Sequence, residues 1–438
     1  MEWYTIILLF FVLLIFFVLI GVPIAFAFIT VNIILSTIFI GFSSGAMNLV
    51  NSAFSSMTSF SITPIPLFIL MGEVLFHSGL VLKMLDVISK LLGKLPSRLS
   101  ILANITGTMF AALSGSAVAN AAMLGSALTP EMLRRGYHIK MIIGPILAAG
   151  SLAIIIPPST VTILLGSVGQ ISVGDLLIAG ILPGLMITVM FLIYYIFLGV
   201  KNPSLAPRYE IDNSTWKERI RLLIQYVLPA VLLIGTVLGL IFFGIATPTE
   251  SAAIGALGSI ILPMFYGRFN KKMIQNSVLG TLKISSMILL ILAASAGFSQ
   301  LLAFSGATRG LISVVLALDI PSIVTIIFML LVILLLGTFI EPMSIVMITI
   351  PLFVPVVAVL GYDLVWFGII ALICLSIGNV TPPFGMLLFT IKGVIPSSVT
   401  LKEVYKSVIN VVVIQMIAVI ILILFPEIVT WLPSLRAN

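Results

Sequence analysis

Two short polar turns interrupt strongly apolar segments of this chain, and each offers oxygen atoms that could bind an ion. The first turn falls near residues 113–117, within the segment 99–132, and provides Ser114, Ser116 and Asn120. Irregular backbone at membrane depth is tolerated only where it lines a cavity or is buried in protein. Close helix packing through small residues explains this turn equally well when it is taken alone.

The second turn falls near residues 337–344, within the segment 321–355, and contains Glu341. An acidic side chain at the centre of a membrane helix costs about 2.5–3.5 kcal/mol on insertion scales, so something must compensate it. A bound cation, a proton or a hydrogen-bond network would do so. Two interpretations of Glu341 therefore stay open, an ion-coupling role and a structural role as a helix cap.

A helix broken at two consecutive prolines follows each turn. Pro157-Pro158 and Pro382-Pro383 remove backbone donors and clash with the preceding helical turn, which frees carbonyl oxygens nearby. Carbonyl ends of half-helices suit hard cations such as sodium, and half-helix N-termini suit anionic substrate groups. Each turn and its broken helix could therefore form one ion site, with the substrate between the two sites.

These two sets of residues lie a constant distance apart in the chain. The double prolines are separated by 225 positions, and the same spacing relates Pro130 to Pro355 and Gly72 to Gly297. An internal duplication explains this spacing. Because the first half contains an odd number of predicted crossings, the second half must start on the opposite face of the membrane. We therefore predict two inverted repeats related by an axis in the membrane plane.

The composition indicates that the lipid bilayer is the solvent of this protein. Of its 438 residues, 61% are hydrophobic and 8% are charged, whereas soluble domains carry about 25% charged residues. Apolar runs of about 20 residues, long enough to span, follow one another along the chain. We predict an all-α multi-pass protein in which the more polar segments 43–61 and 269–281 are interfacial arms.

The net charge of +7 does not indicate nucleic-acid binding, because Lys and Arg cluster at the ends of apolar runs, as in cytoplasmic loops. A single cysteine, Cys374, excludes an internal disulfide and a cysteine metal cluster. No zinc-protease motif, nucleophile elbow or Walker-type phosphate loop is present, so neither an enzyme nor ATP hydrolysis is expected. Glu73 and Glu250 lie near run ends, where pairing is the simpler interpretation.

Several further segments carry a shared pattern: residues 21–26 (GVPIAF), 65–73 (IPLFILMGE), 114–121 (SGSAVANA), 130–132 (PEM) with 136–137 (GY), 156–159 (IPPS), 246–250 (ATPTE) and 381–385 (TPPFG). Together these motifs resemble the large membrane subunit of tripartite ATP-independent periplasmic (TRAP) transporters, over essentially the whole chain. Cys374 and Ala153 depart from the pattern of that family, in which Asn and Gly are frequent at these positions.

The resemblance implies a sodium-coupled elevator importer in the bacterial inner membrane, in which a transport domain slides against a scaffold. A small membrane subunit enlarges the scaffold, and a soluble periplasmic protein delivers an organic acid, a carboxylate such as a dicarboxylate or sialic acid. The expected partners are these two polypeptides, the organic acid and membrane lipid, with no nucleic acid. A single-component sodium/carboxylate symporter of a related hairpin fold is the alternative.

The resemblance also implies two sodium sites and a substrate site at the turns and broken helices. One sodium site would comprise Ser114, Ser116, Asn120, Gly150 and Ser151. The other would comprise Gly337, Thr338, Glu341, Gly378, Asn379 and Thr381. The substrate would contact Ser114, Ser116, Pro157, Pro158, Ser159, Glu341, Thr381 and Pro382.

The predicted domain organisation follows the two repeats along the chain. Scaffold helices and an arm occupy residues 1–62 and again 222–282. The transport domain takes residues 63–170, with hairpin 98–133 and broken helix 140–167, and residues 283–393, with hairpin 321–358 and broken helix 364–391. The remainder comprises a scaffold helix at 171–200, a cytoplasmic loop at 201–221 and a C-terminal scaffold helix at 394–438.

Overall fold

The computed structural model describes residues 3–93, 95–207, 215–317 and 320–436, and all regular structure within these ranges is helical. The all-α prediction is therefore confirmed. Part of the predicted cytoplasmic loop, residues 208–214, lies outside the described ranges.

The helices of the two halves follow one another in a similar order. Up to residue 201 they are α1 (Trp3–Leu19), α2 (Ile24–Phe39), α3 (Phe42–Met57), α4 (Pro64–His77), α5 (Leu80–Leu91), α6 (Arg98–Ser114), α7 (Ala117–Arg134), α8 (Ile139–Leu152), α9 (Thr160–Gly169), α10 (Val173–Ala179) and α11 (Ile181–Lys201). Beyond the loop they are α12 (Trp216–Leu222), α13 (Leu228–Phe242), α14 (Pro248–Phe265), α15 (Lys271–Phe304), α16 (Ala307–Ala317), α17 (Ser322–Gly337), α18 (Pro342–Val359), α19 (Leu364–Val380), α20 (Met386–Val394), α21 (Leu401–Leu424) and α22 (Glu427–Ser434).

Six helical stretches in the described part of the chain are long and apolar enough to cross a bilayer: Phe60–His77, Val173–Lys201, Trp216–Phe242, Lys271–Phe304, Pro342–Val359 and Leu401–Leu424. Several shorter apolar helices belong to hairpins or broken helices, among them α8, α9, α17 and α19. A helix of about 16 residues extends only about 24 Å, less than the ~30 Å hydrocarbon core. Such helices are too short to cross the bilayer, so other parts of the protein must cover their ends.

Two helical hairpins turn within the segments singled out in the sequence. In the first, α6 packs against α7, and Gly115 adopts a left-handed conformation with φ of +58° at the turn. Glycine reaches this conformation without the steric cost that a Cβ would add. In the second hairpin, α18 begins with Pro342, whose fixed φ is favourable at the first position of a helix.

Both double prolines lie where a helix is interrupted. α8 ends at Leu152 and α9 begins at Thr160, whereas α19 ends at Val380 and α20 begins at Met386. Both Pro-Pro peptide bonds are cis. The hydroxyl of Ser159 accepts a hydrogen bond from a backbone amide and thereby caps α9. Each interruption brings irregular backbone close to a hairpin turn.

The two halves differ in the helices that come before each hairpin. In the first half, α3 and α4 are separate helices, and α4 starts with Pro64 and Pro66 in its first turn. The equivalent positions in the second half hold Leu289 and Ile291, and α15 runs unbroken for 34 residues. No proline interrupts the helix there, and the interfacial arm expected at 269–281 stays a prediction.

Helix packing divides most of the molecule into two groups. An outer group comprises α1–α4 and α13–α15, in which α4 packs chiefly on α14 and α15. A hairpin group comprises α6–α9, α11 and α17–α21, in which α21 packs chiefly on α8 and α19. The predicted domains, which assign α4 to the transport half and α11 and α21 to the scaffold, stay a prediction.

Equivalent residues of the two halves meet inside the hairpin group. The hydroxyl of Ser376 donates to the carbonyl oxygen of Ser151 at 2.9 Å, and these residues are 225 positions apart. The side-chain amide of Gln415, on α21, donates to both serine hydroxyls at 3.0 Å. All three residues are fully buried. The first and second broken helices therefore face each other at this point.

Candidate functional site

A cavity of about 130 Å³ lies where the tips of both hairpins meet α4. Ser114 and Ser116 reach it from the first tip, Glu341 from the second tip and Asn379 from the end of α19. Glu73 lies on the wall that α4 contributes, and α15 completes that wall. The cavity therefore lies between the hairpin group and the outer group, which also touch directly beside it.

The first tip is held against both α4 and the first broken helix. A Cβ on Gly72 would lie 2.7 Å from the carbonyl oxygen of Leu113, so glycine is needed for this close approach. The hydroxyl of Thr160 donates to the carbonyl oxygen of Gly115 at 3.0 Å. Ser116 caps α7 by accepting from the amide three residues on. These contacts direct the N-terminus of α7 toward the cavity.

Pro157, Pro158 and Ser159 are buried behind the first tip and do not line the cavity. The hydroxyl of Ser159 donates to the carbonyl oxygen of Ile154 at 2.7 Å and accepts from the amide of Thr162 at 3.3 Å. These bonds stabilise the interruption of the helix. Direct contact of the three residues with substrate stays a prediction.

The predicted first sodium group is brought together in part. Asn120 is fully buried and donates to the carbonyl oxygens of Gly107 at 2.8 Å and Ala149 at 3.0 Å. Its Oδ1 atom is buried without a hydrogen-bond partner. Gly150 lies beside it, since a Cβ there would approach the Cβ of Ala121 to 3.0 Å. A buried oxygen without a partner is costly unless an ion or water satisfies it.

The second tip is anchored by backbone contacts. The amide of Gly385 donates to the carbonyl oxygen of Thr338 at 3.0 Å, and the hydroxyl of Thr338 donates to the carbonyl oxygen of Leu335 at 2.8 Å. The hydroxyl of Ser344 donates to Oε1 of Glu341 at 3.2 Å. Because Ser344 lies in the first turn of α18, both the capping and the ion-coupling interpretations of Glu341 fit this geometry.

The second broken helix approaches its hairpin through two glycines. A Cβ on Gly378 would lie 2.6 Å from the Cα of Gly337, so neither position has room for a larger residue. Asn379 follows, 1% exposed, with its Oδ1 atom lacking a partner. The hydroxyl of Thr381 donates to the carbonyl oxygen of the residue four positions earlier. Thr381 and Pro382 do not line the cavity, so their substrate contacts stay predictions.

The predicted site residues therefore form two layers. Ser114, Ser116, Glu341 and Asn379 line the cavity, whereas the other predicted residues do not. Hydroxyl, carboxylate and amide oxygens are the ligands that hard cations prefer. Within the described ranges, no group of three or more His, Cys, Asp and Glu residues could hold a metal ion.

Glu73 is a cavity residue that the sequence did not indicate. Its predicted pairing is present, because Nε2 of His77 lies 3.3 Å from its Oε2 atom. It also reaches the cavity beside Gly280 of α15, where a Cβ would lie 2.3 Å from Oε2. The contact depends on a helix about 200 positions away, which no local pattern reveals. Glu250 is structural, since it forms a capping box with Thr247.

These features define the class: an all-helical multi-pass membrane protein in which two hairpins and two broken helices converge on one cavity. A family model described as "Tripartite ATP-independent periplasmic transporter, DctM component" matches residues 11–428. The chain therefore belongs to this family of TRAP transporter large permeases and lies in the bacterial inner membrane. Its relatives are transporter permeases and not enzymes. The family resemblance and the location expected from the sequence are confirmed.

Individual relatives agree with this family. The chain is 30% identical over 385 residues to the C4-dicarboxylate TRAP transporter large permease protein of Pseudomonas aeruginosa, covering 87% of this chain and 86% of the relative. It is 29% identical to the ectoine/5-hydroxyectoine TRAP transporter large permease protein of Ruegeria pomeroyi, covering 86% of each. It is 30% identical to the isethionate TRAP transporter permease protein of Oleidesulfovibrio alaskensis, of whose length it spans 58%.

A solved structure shares the fold. The YdaH transporter of Alcanivorax borkumensis matches with a TM-score of 0.66 and 15% sequence identity, covering 90% of each chain. At this identity the likeness concerns the fold alone.

Proposed function

We propose that this chain is the transport subunit of a tripartite, sodium-coupled importer of an organic acid. The observation that carries the proposal is the single cavity in which Glu341 and the unpartnered amide oxygen of Asn379 meet the first hairpin tip. Such oxygens suit sodium. The N-terminus of α7 carries a positive partial charge that suits an anionic substrate group. Ion and substrate would thus bind side by side.

A second sodium site is proposed behind the first tip. The buried, unpartnered Oδ1 atom of Asn120 supports it, together with the backbone of the interrupted helix near Gly150 and Ser151. Each sodium ion that crosses with a potential of 100 mV supplies about 2.3 kcal/mol before any concentration term. Two ions could therefore drive accumulation of a monoanion.

An elevator movement of inverted repeats is proposed as the transport step. The 225-residue spacing supports the repeats, and the contact between Ser151 and Ser376 supports their facing arrangement. The cavity lies between the hairpin group and the outer group. Sliding of one group past the other would expose the cavity to opposite sides of the membrane, as in transporters with a central site between repeats.

The proposed partners follow from the family. A small membrane subunit would extend the outer group, and a periplasmic binding protein would deliver the organic acid. The exposed apolar side chains of α13 and α14, such as Leu232, Leu257 and Ile261, would contact lipid or that subunit. No role for nucleic acid is proposed.

The proposal is tested by uptake of labelled organic acids into proteoliposomes that contain this chain and its small subunit. Uptake is measured with and without an inward sodium gradient and with and without the cognate binding protein. We expect uptake to require both the sodium gradient and the binding protein. Sodium-dependent uptake without the binding protein would instead indicate a single-component symporter, and uptake indifferent to every gradient would refute the coupling.

A further inference from the structure

A second, larger cavity lies on the boundary between the hairpin group and the outer group. Its volume is about 660 Å³, and its walls are α3, α15 and the segment before α4 on one side and the end of α9 on the other. Most of its lining side chains are hydroxyls or amides, and none of the described lining residues is charged. We call it the serine cavity, and the cavity at the hairpin tips the tip cavity. The serine cavity is lined by Asn51, Ser52, Ser55, Ser295, Ser299 and Gln300, among others.

The two cavities are displaced from each other along the same helices. On α15, Ile284 lines the tip cavity and Ser295 lines the serine cavity. These residues are 11 positions apart, which is about three turns, so they share one face of the helix about 16 Å apart. On α9, Thr160 borders the tip cavity and Ser167 the serine cavity, about 10 Å apart. The cavities are therefore successive positions along one boundary.

The charge pattern shows which cavity is nearer the cytoplasm. α15 begins with Lys271 and Lys272, and basic residues at the ends of membrane helices favour the cytoplasmic side. Ile284 lies nearer this end of α15 than Ser295 does. The connection between α9 and α10, which borders the serine cavity through Gln170, carries no Lys or Arg. The tip cavity is therefore the cytoplasmic position, and the serine cavity is the periplasmic one.

One hydrogen bond across the boundary depends on a proline. The hydroxyl of Ser295, which is 1% exposed, donates to the carbonyl oxygen of Met347 on α18 at 3.3 Å. In a regular helix this carbonyl accepts from the amide four positions later, but that residue is Pro351, which has no amide hydrogen. Ser295 supplies the missing donor from the outer group. Sliding of the hairpin group along the boundary breaks this bond and frees the hydroxyl of Ser295.

We propose that Ser295, Ser299 and Gln300 form a second wall for the substrate, which the hairpin tips face when the hairpin group lies about 10–16 Å closer to the periplasm. In that position Ser114 and Glu341 of the tips are level with this wall. Serine hydroxyls and the glutamine amide donate hydrogen bonds to the oxygens of an organic acid. The inference rests on the sliding movement of the proposed function and names the outer-group residues that the substrate meets on the periplasmic side.

The test introduces cysteine pairs into the complex of this chain with its small subunit in proteoliposomes. Val118 of the first tip lines the tip cavity, and Ala296 lines the serine cavity. Val118→Cys with Ala296→Cys should react with a short bis-methanethiosulfonate cross-linker, and uptake should stop until dithiothreitol removes the link. Lys272→Cys is the matched control partner, because it lies 12 positions before Ile284 as Ala296 lies 12 after it. With Val118→Cys it should not cross-link, and each single variant controls for the buried Cys374.

Two further variants test the wall itself. Ser295→Ala should raise the initial rate of the cross-link between positions 118 and 296 about two- to tenfold, because it removes a bond that holds the hairpin group in its present position. Ser259→Ala should leave the rate unchanged, since that buried hydroxyl bonds within α14. Ser299→Trp should fill the serine cavity and slow both the cross-link and uptake, with little change in melting. The same substitution at Ser313, exposed on α16, is its control.

Absence of the cross-link between positions 118 and 296 would overturn the proposal, and the proposed function would stand if the same complexes still carried out sodium-driven uptake. Equal cross-linking of the Lys272→Cys pair, or parent rates in Ser295→Ala and Ser299→Trp, would also overturn it. Uptake indifferent to sodium and to the binding protein would instead refute the proposed function, whether or not the cross-link forms.

Discussion

The two hairpin tips differ both in backbone and in the side chains at equivalent positions. The first turn has two residues between its helices, with Gly115 left-handed, whereas the second has four residues between α17 and α18. Ser116 and Glu341 are 225 positions apart, and each immediately precedes the second arm of its hairpin. The hydroxyl of Ser116 caps its helix, whereas the carboxylate of Glu341 accepts from Ser344 and lines the cavity. The equivalent position therefore has a mainly structural bond in one half and an acidic group in the other.

Two buried asparagine side chains also have no polar counterpart in the other half. Asn120 lies in the first hairpin, and its equivalent in the second half is Ile345. Asn379 lies in the second broken helix, and its equivalent in the first half is Ile154. Both asparagines have an unpartnered Oδ1 atom. Turns and breaks thus recur at the 225-residue spacing, whereas the buried amide oxygens do not.

The halves also differ in exposure. Pro158 is buried, whereas its equivalent Pro383 is exposed. Phe339 and Phe384 are 63% and 54% exposed at the second tip, with ring centroids 5.7 Å apart. The two halves therefore present different surfaces at equivalent positions.

The largest effect is expected from Gly378→Ala, which would test whether tight hairpin contact is essential in the second half. The equivalent residue in the first half is already Ala153. A Cβ at position 378 meets backbone at 2.6 Å, and overpacking of this kind costs about 1–3 kcal/mol. Thermal unfolding of the complex in nanodiscs should show a clear loss of stability. Gly235→Ala is the control, since its Cβ meets nothing within 4 Å, and equal melting of both variants would contradict the contact.

Gln415→Leu would sharpen the comparison at the point where the halves touch. It removes the donor shared by Ser151 and Ser376, and each buried hydrogen bond contributes about 0.5–1.5 kcal/mol. Unfolding temperature is the measurement. Gln275→Leu, at an exposed position on α15, should melt like the parent protein. A similar loss of unfolding temperature in both variants would show that the buried hydrogen bonds of Gln415 make no specific contribution to stability.

Asn379→Ala addresses the divergence of the amides. It removes the unpartnered oxygen from the cavity wall, so the sodium concentration for half-maximal uptake should rise by about tenfold, equivalent to about 1.4 kcal/mol. Ser116→Ala and Thr338→Ala should weaken sodium dependence in the same direction. Asn48→Ala, on α3 and outside the cavity, is the control. An unchanged sodium response in Asn379→Ala would remove this residue from the proposed site.

The smallest effect concerns an ion pair present in one half only. Hydrogen bonds from Arg134, and then from Arg135, hold the pKa of Glu131 below its ordinary value, whereas the equivalent residue is Val356. A lowered folded-state pKa stabilises the protein above the unfolded-state pKa, and the gain is lost as the pH falls through the folded-state pKa. Because the pair is exposed, Glu131→Gln should cost less than about 1 kcal/mol.

Melting of Glu131→Gln and of the parent protein is compared at pH 7 and at successively lower pH below 4.5. The small difference at pH 7 should vanish in acid. A difference that grows as the pH falls would contradict the sign of the pKa shift.

Much of the hairpin architecture is legible in the sequence because its signals are local. Gly115 and the double prolines constrain their own backbone, so the turns and breaks can be located from the sequence alone. The cavity membership of Glu73 could not be predicted, since it depends on Gly280 leaving space on a distant helix. The unbroken α15 follows from the absence of proline at the two positions equivalent to Pro64 and Pro66. The analogy between the two halves conceals this difference.

The central contact among Ser151, Ser376 and Gln415 has an evolutionary consequence. After a gene duplicates within itself, the copies are usually free to accumulate substitutions separately. Here one amide binds both serines, so a change in either serine alters the environment of the other. Substitutions at these three positions should therefore arise together among relatives of this chain, as correlated changes rather than as independent drift.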